Sequence, residues 1–318
     1  MTTILADPHI RQRLRTLLGT AVRFDEPMQH HTSFGIGGPA DAMAVPETRE
    51  QLRQLVAWAV RTQIPYLVIG QGTNLLVKGG GIRGLVIRLN RMAPVTGWVL
   101  DGEQVRLKVG SGIPTRSLCS LALRQGWRGM NFALGIPGHI GGAITMNAGS
   151  YLGSMADVIE GLKVLTARAQ WATLDRASLN WGYRRCDLPP HVGPEAIVVE
   201  AQLRLTAGDR RALRAEAMGI MKNRVARQPM GMLSAGSFFK NPAPDMTAGR
   251  LIDEAGLKGL TVGRAQVSLK HANFIVNLGG ATADDVLRLK DQVQTTIWQQ
   301  FAVELIPEVR IVGETVSP

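Results

Sequence analysis

The sequence predicts an α+β fold of two or three domains, and three observations carry that prediction. The 318 residues exceed the ~100 to 200 of a usual single domain. Apolar residues switch repeatedly between helical and strand spacing along the chain. The chain has 36 glycines, with clusters at residues 35–38, 70–84, 135–149 and 231–236 between the periodic segments. Hydrophobic residues at 45% and charged ones at 19% match a folded globular chain, which excludes disorder and collagen-like repeats.

Taken in order, Leu52, Leu55, Val56, Ala59 and Val60 share one helical face. The apolar stretches 66–69 and 84–87 then read as short buried strands. Residues 98–100 and 105–109 form a hairpin about Asp101-Gly102, a pair that tolerates the positive φ of a tight turn. A helix over 114–125 stops at Gly126, residues 196–199 and 202–205 are strands, and 209–227 is a charged helix opening a third region. There, Thr282 and Asp285 make a capping box, Asp284 and Asp285 suit the positive end of the helix dipole, and Val286, Leu289, Val293 and Ile297 form the apolar stripe. Strands over 266–269, 274–278 and 308–312 complete a compact α+β unit. The expected domains are 1–88, 89–208 and 209–318.

Cys119 and Cys186 are the two cysteines, too few for a disulfide framework or a four-thiolate zinc site, so a reducing compartment is expected. The six histidines show no metal-ligand spacing and read as structural imidazoles, His271 among them, so no metal is expected. The charged start MTTILADPHIRQRLRTLL is not a signal peptide, and no window approaches the ~18 to 20 apolar residues of a membrane span. A cytoplasmic protein without a membrane anchor follows as the expectation. The net charge of +11 requires an anionic partner to be considered, whether nucleic acid, membrane surface or a phosphate-bearing small molecule. Basic residues occur in scattered pairs such as Arg184-Arg185 and Arg210-Arg211, and aromatics are 5%, which argues against a nucleic-acid groove with stacking platforms.

Two glycine loops carry the chemical signal. Gly70, Gln71, Gly72, Thr73, Asn74 and Leu75 follow a strand directly, where glycine lets backbone N–H groups approach a phosphate. Taken alone the segment reads as a tight turn. It is not the dinucleotide fingerprint, because Leu75 stands where the third glycine belongs, and no Gly-Lys-Ser/Thr phosphate loop occurs. In the second loop Gly135, Pro137, Gly138, Gly141 and Gly142 crowd one segment that continues to Asn147 and Gly149. So many glycines cost chain entropy, and a loop presenting several amides to one anion accounts for them better than turns do.

Two such loops about sixty-five residues apart resemble the para-cresol methylhydroxylase type of FAD-binding fold. Further motifs narrow the resemblance: residues 31–41 (HTSFGIGGPAD), Gly182-Tyr183-Arg184, Arg227-Gln228-Pro229, residues 234–242 (SAGSFFKNP), 248–259 (AGRLIDEAGLKG), 268–277 (SLKHANFIVN) and Pro307-Glu308-Val309-Arg310. In this order they resemble the UDP-N-acetylenolpyruvoylglucosamine reductase family, in its compact form, from His31 to Gly313. The resemblance implies a two-lobed FAD-binding fold of the para-cresol methylhydroxylase type plus a C-terminal α+β substrate-binding domain. It implies bound FAD, NADPH as co-substrate and a UDP-sugar substrate, with no nucleic-acid or membrane partner. It also brings the last strand, near Glu308, back onto the FAD lobes.

In that family hydride reaches C3 of the enolpyruvyl group and a proton reaches C2, so the resemblance implies Ser237 as proton donor and Arg184 at the enolate carboxylate. Glu308 is the implied C-terminal glutamate, with Glu304 a weaker competitor, and Arg185 leaves the identity of the arginine ambiguous. Cys186 stands where the family has serine. Tyr183, Lys240 and Asn241 are the implied substrate-binding residues, and both glycine loops the implied cofactor-binding ones. Two rivals remain at this level. One is an oxygen-using flavin oxidase, which leaves the serine and glutamate motifs unexplained. The other is a basic nucleic-acid-binding protein, which no motif supports.

Overall fold

The computed structural model describes residues 4–92 and 97–316, so the outermost ends of the first and third expected domains, 1–3 and 317–318, lie outside it. The chain groups into two compact units, each assembled from separated stretches. The first comprises Met1–Phe24, Ala42–Gly70 and Gly84–Lys222, and the second Asp25–Asp41, Gln71–Arg83 and Asn223–Pro318. Limits at 88 and 208 follow the chain, whereas these units interleave along it.

In the first unit, Asp7 caps the helix Pro8–Leu18 by accepting from the His9 N–H, and Thr48 caps the helix Arg49–Arg61 by accepting from the Gln51 N–H. The second helix buries Leu52, Leu55, Val56 and Ala59 as its spacing requires. Val60 is instead 46% exposed, and Trp58 takes the core position. The strands Tyr66–Ile69 and Ile82–Arg88 pair in parallel within a sheet ordered Val22–Pro27, Pro39–Ala44, Ile82–Arg88, Tyr66–Ile69. The chain passes from one unit to the other within the first three of these strands.

A six-stranded antiparallel sheet forms the rest of the first unit, ordered Trp171–Asp175, Ile159–Leu165, Ile197–Ala207, Gln104–Gly110, Gly97–Asp101, with Trp127–Arg128 beside Ile197–Ala207. Strand alternation buries Val105, Leu107 and Val109, and the helix Thr115–Gln125 covers them with Leu118, Cys119 and Ala122. Gly126 ends that helix in the left-handed conformation, with its N–H on the Ala122 carbonyl. Two details differ from expectation. Asp101 pairs with Gln104, so Gly102-Glu103 forms the hairpin loop, with the single positive φ at Gly102. The two strands expected over 196–205 are one strand of eleven residues, because Glu200 and Ala201 stay paired with Gly110 and Val109.

The second unit holds an antiparallel sheet ordered Leu233–Ser237, Phe274–Asn277, Ala265–Val267, Thr261–Val262. The helix Ala283–Phe301 starts at the expected capping box, with Asp285 N–H donating to Thr282 Oγ1 and Thr282 N–H to Asp285 Oδ2, both at 3.1 Å. It packs Val286, Leu289, Val293 and Ile297 against a core that includes Phe238 and Phe239. The last strand, Arg310–Val312, pairs in parallel with Leu75–Val77. Among the described residues no helix is long and apolar enough to cross a membrane.

Candidate active site

In the first unit the second glycine loop is built against the segment that enters the helix Thr115–Gln125. Ile140 N–H donates to Ile113 O at 2.9 Å, Thr115 N–H to Gly138 O at 2.9 Å and Gly141 N–H to Ser111 O at 2.8 Å. Gly141 is required by packing, since a Cβ there would lie 2.9 Å from the Ser111 Cβ. Gly142 differs: a Cβ would meet nothing within 4 Å, so this face of the loop is open. Within the first unit Gly70 faces His139, a Cβ on Gly70 falling 3.2 Å from the His139 Cβ. At this junction two buried polar atoms, His139 Nδ1 and Thr115 Oγ1, have no hydrogen-bond partner among the described residues. A glycine-rich loop with an open face, where no side chain obstructs the backbone, suits the diphosphate of FAD, so the residues present fit that cofactor.

Gln71 to Leu75 belong to the second unit. Gly72 is held against His31, because a Cβ would lie 2.1 Å from the His31 carbonyl oxygen. Asn74 Nδ2 donates to Glu308 O at 3.0 Å, and Arg310 N–H donates to Asn74 O at 3.0 Å. Leu75 is buried in the strand Leu75–Val77, while Gln71 and Thr73 are half-buried. The 31–41 motif is scaffold here: His31 Nε2 lies 2.7 Å from Glu26 Oε1, and Asp41 forms an ion pair with Arg83 at 2.7 Å.

Ser237 ends the strand Leu233–Ser237 after a bulge in which Gly236 has φ 78°. The backbone beyond it is clamped by the buried Asn273. Phe238 N–H donates to Asn273 O at 2.7 Å, Phe239 N–H to Asn273 Oδ1 at 2.9 Å, and Asn273 Nδ2 to Phe239 O at 2.8 Å. Residues 306–308 then run along the same segment, with Glu308 N–H on Phe238 O and Lys240 N–H on Ile306 O, both at 2.8 Å. These bonds bring Ser237, Lys240 and Glu308 into one neighbourhood. Among the described residues the Ser237 hydroxyl makes no hydrogen bond, so it is not a turn serine bonded to its own backbone. Glu304 is exposed and outside this pairing. Asn241 is exposed and its Oδ1 accepts from Ala248 N–H at 3.2 Å.

In the first unit, Tyr183 and Arg184 form the two-residue turn between the strands Asn180–Gly182 and Arg185–Asp187. Arg184 has φ 55°, a left-handed backbone that costs a non-glycine residue ~1 to 2 kcal/mol, and its guanidinium lies 5.0 Å from the Tyr183 ring centroid. Asn147 supports the turn: its Nδ2 donates to Gly182 O, and its Oδ1 accepts from Ala156 N–H, each at 3.0 Å. Arg185 forms an ion pair with Asp187 at 2.9 Å. Cys186 is buried and its thiol is pushed up to about 12 by burial, then by the Asp187 charge, so it stays a neutral thiol.

Sequence reasoning read His139, with the other five histidines, as a structural imidazole, and gave Thr115 no role and Asn273 none beyond its place in the 268–277 motif. The position of His139 inside the glycine loop was the available signal, since a bulky ring among glycines needs a reason. Asn273 carried none, because its partners are backbone atoms more than thirty residues away.

These loops and their surroundings define a flavin-binding protein. Residues 40–175 match the FAD binding domain family, and residues 228–312 match the C-terminal domain of UDP-N-acetylenolpyruvoylglucosamine reductase. The reductase of that name from Syntrophus aciditrophicus is 41% identical over 98% of this chain and 98% of its own length. The Desulfosudis oleivorans reductase is 44% identical over 97% of this chain and all of its own. The crystal structure of the Thermus caldophilus enzyme superposes with a TM-score of 0.75 at 38% identity, covering 90% of this chain and 97% of that one. The chain belongs to the UDP-N-acetylenolpyruvoylglucosamine reductase family, and it carries an FAD-binding domain.

Proposed function

We propose that this protein reduces the enolpyruvyl group of UDP-N-acetylglucosamine enolpyruvate to give UDP-N-acetylmuramate, a cytoplasmic step of peptidoglycan precursor synthesis. The observation that carries the site assignment is the pairing of residues 306–308 with 238–240, which sets Glu308 beside the strand end bearing Ser237. When bound, FAD supplies the hydride for C3 of the substrate, taken in turn from NADPH. The chain's own residues handle the proton and the charge.

Addition of hydride at C3 leaves carbanion character at C2, conjugated with the carboxylate. Ser237 gives its proton to C2. A hydroxyl is a weak acid, but a carbanionic centre held against it is a strong enough base, and a hydroxyl without another partner is available for the transfer. Arg184 holds the carboxylate through its planar, permanently charged guanidinium, which stabilises the enolate. Glu308 supports protonation as the neutral acid or through a shared proton. Tyr183, Lys240 and Asn241 bind the UDP-sugar. The net charge of +11 attracts anionic UDP-sugar and NADPH, with no nucleic acid or membrane as partner.

Visible absorption of the purified protein, followed without air through NADPH and then the enolpyruvyl substrate, tests this reading. A yellow band that bleaches and returns on substrate supports it. Return only with oxygen indicates a flavin oxidase, and a preparation that stays colourless after incubation with FAD overturns the flavin assignment.

A further inference from the structure

The strand Gly97–Asp101 ends the six-stranded sheet of the first unit, and among the described residues no strand pairs with its outer side. Trp98, Val99 and Leu100 are 47%, 65% and 62% exposed there, three large apolar side chains in a row. Register fixes where the backbone groups point. Asp101 and Gln104 close the two-residue hairpin as a hydrogen-bonded pair, so Val99 with Arg106 and Gly97 with Lys108 are hydrogen-bonded pairs as well. The N–H and C=O groups of Trp98 and Leu100, which alternate with these, therefore point outward along the open edge. Folded chains usually protect such an edge with lysine, proline or a bulge, and residues 97–100 have none of them.

The edge is complementary to itself. Antiparallel pairing about a two-fold axis through Val99 sets Trp98 opposite Leu100 of the partner subunit, and Leu100 opposite the partner's Trp98. The outward N–H and C=O groups of both residues then all find partners. On one face Trp98 packs beside Leu100 of the partner subunit, continuing the apolar surface that Val105 and Leu107 give the neighbouring strand, where Trp98 already meets Trp127 with ring centroids 5.5 Å apart. On the other face Val99 meets its own copy, and Asp101 lies opposite Gly97 of the partner subunit, with the partner's Lys108 in the next strand behind that glycine. Glycine puts no side chain between the two, so opposite charges face each other on both sides of the axis.

We propose that Gly97–Asp101 is a dimerisation edge, pairing antiparallel with the same strand of a second copy to make one continuous sheet. One short strand per copy covers less than the ~1,200 Å² total of a standard specific interface, so the dimer is weak and forms at micromolar concentration. The net charge of +11 on each copy opposes association. Salt screens that repulsion more than it weakens two exposed ion pairs, so the dimer tightens as salt is added, the reverse of what binding to an anionic partner does.

The test is sedimentation velocity of the purified protein from about 1 to about 300 μM, the range in which weak interfaces associate. The mass rises from one chain to two and stops there, because a two-fold pairing consumes the edge. Val99→Lys, which opposes two charges at the axis, weakens association about tenfold or more and leaves the unfolding temperature unchanged. Val99→Cys gives a disulfide-linked dimer under mild oxidation, because residues opposed at the axis lie ~4.5 Å apart at Cα, whereas Arg106→Cys, one strand further in, does not. Cys119 and Cys186 are buried and stay out of that reaction. Protein that remains monomeric across the range overturns the proposal and leaves the edge to some other strand. A mass beyond two chains, a dimer that loosens with salt, one indifferent to Val99→Lys, or equal crosslinking by both cysteine variants overturns it as well. If Val99→Lys does not fold, the two cysteine variants decide.

Discussion

The side-chain amide of Asn74 donates to the carbonyl oxygen of Glu308 at 3.0 Å, joining residues 234 positions apart in sequence. The same asparagine accepts from Arg310 N–H through its own carbonyl. One residue at the end of the first glycine loop thus fixes the backbone on which Glu308 is carried. Asn74→Ala is expected to lower stability by about 1 kcal/mol, read as a drop of a few degrees in the unfolding temperature, and to slow the substrate half of the reaction. Turnover and stability both at wild-type values would remove Asn74 from this role.

Ser237→Ala separates the two half-reactions. Since the hydroxyl makes no hydrogen bond among the described residues, its loss leaves the fold and flavin reduction by NADPH intact. Reoxidation by the enolpyruvyl substrate slows by about 100-fold or more, the scale of a lost general acid. Rapid-mixing absorbance without air measures both phases, and equal slowing of the two contradicts the proton-donor assignment.

Arg184 occupies a left-handed backbone position that glycine adopts without strain. Arg184→Gly should therefore leave the unfolding temperature unchanged or higher while cutting turnover by about 3 kcal/mol of transition-state stabilisation. Stability gained with activity retained would mean that the strain serves something other than the enolate.

Asn273 is 4% exposed and its amide satisfies both the N–H and the carbonyl of Phe239. Asn273→Ala leaves those two backbone groups unpaired, at a cost of roughly 2 to 4 kcal/mol in stability. Thermal unfolding and turnover are expected to fall together, because the clamp holds the segment between Ser237 and Lys240. A variant as stable as wild type would show that another group replaces the amide.

His139 sets a pH dependence in the flavin-free protein. Its pKa is about 4 when folded, against an ordinary value of 6.5, so the unfolded chain binds the extra proton across that window and stability falls as pH drops from about 6.5 to 4. His139→Asn should flatten this acid limb by about 2 kcal/mol or less. Urea unfolding across pH 4 to 7 measures it, and parallel curves for the two proteins would place the acid sensitivity elsewhere.

Local patterns were readable from the sequence wherever neighbouring residues decide the outcome. The capping box at Thr282 and Asp285 and the stripe Val286, Leu289, Val293, Ile297 became one long helix because both signals act within a few turns. The hairpin loop shifted from Asp101-Gly102 to Gly102-Glu103, because strand register, set by pairing with Gln104–Gly110, outweighs turn preference. The break expected after residue 199 vanished for the same reason: Ile197–Ala207 is flanked on both sides by partner strands that keep it extended.

The sequence by itself determined the α+β class, the glycine loops and, through ordered motifs, the family and the candidate residues. Those are properties of short segments, set by periodicity, capping and the unique freedom of glycine. Tertiary structure alone decided that Asn273 and Asn74 spend their amides on distant backbone, and that His139 Nδ1 and Thr115 Oγ1 are buried without a hydrogen-bond partner among the described residues. Each of these depends on atoms brought together by the closing of long chain loops, and no local preference encodes the partner a buried polar group will find.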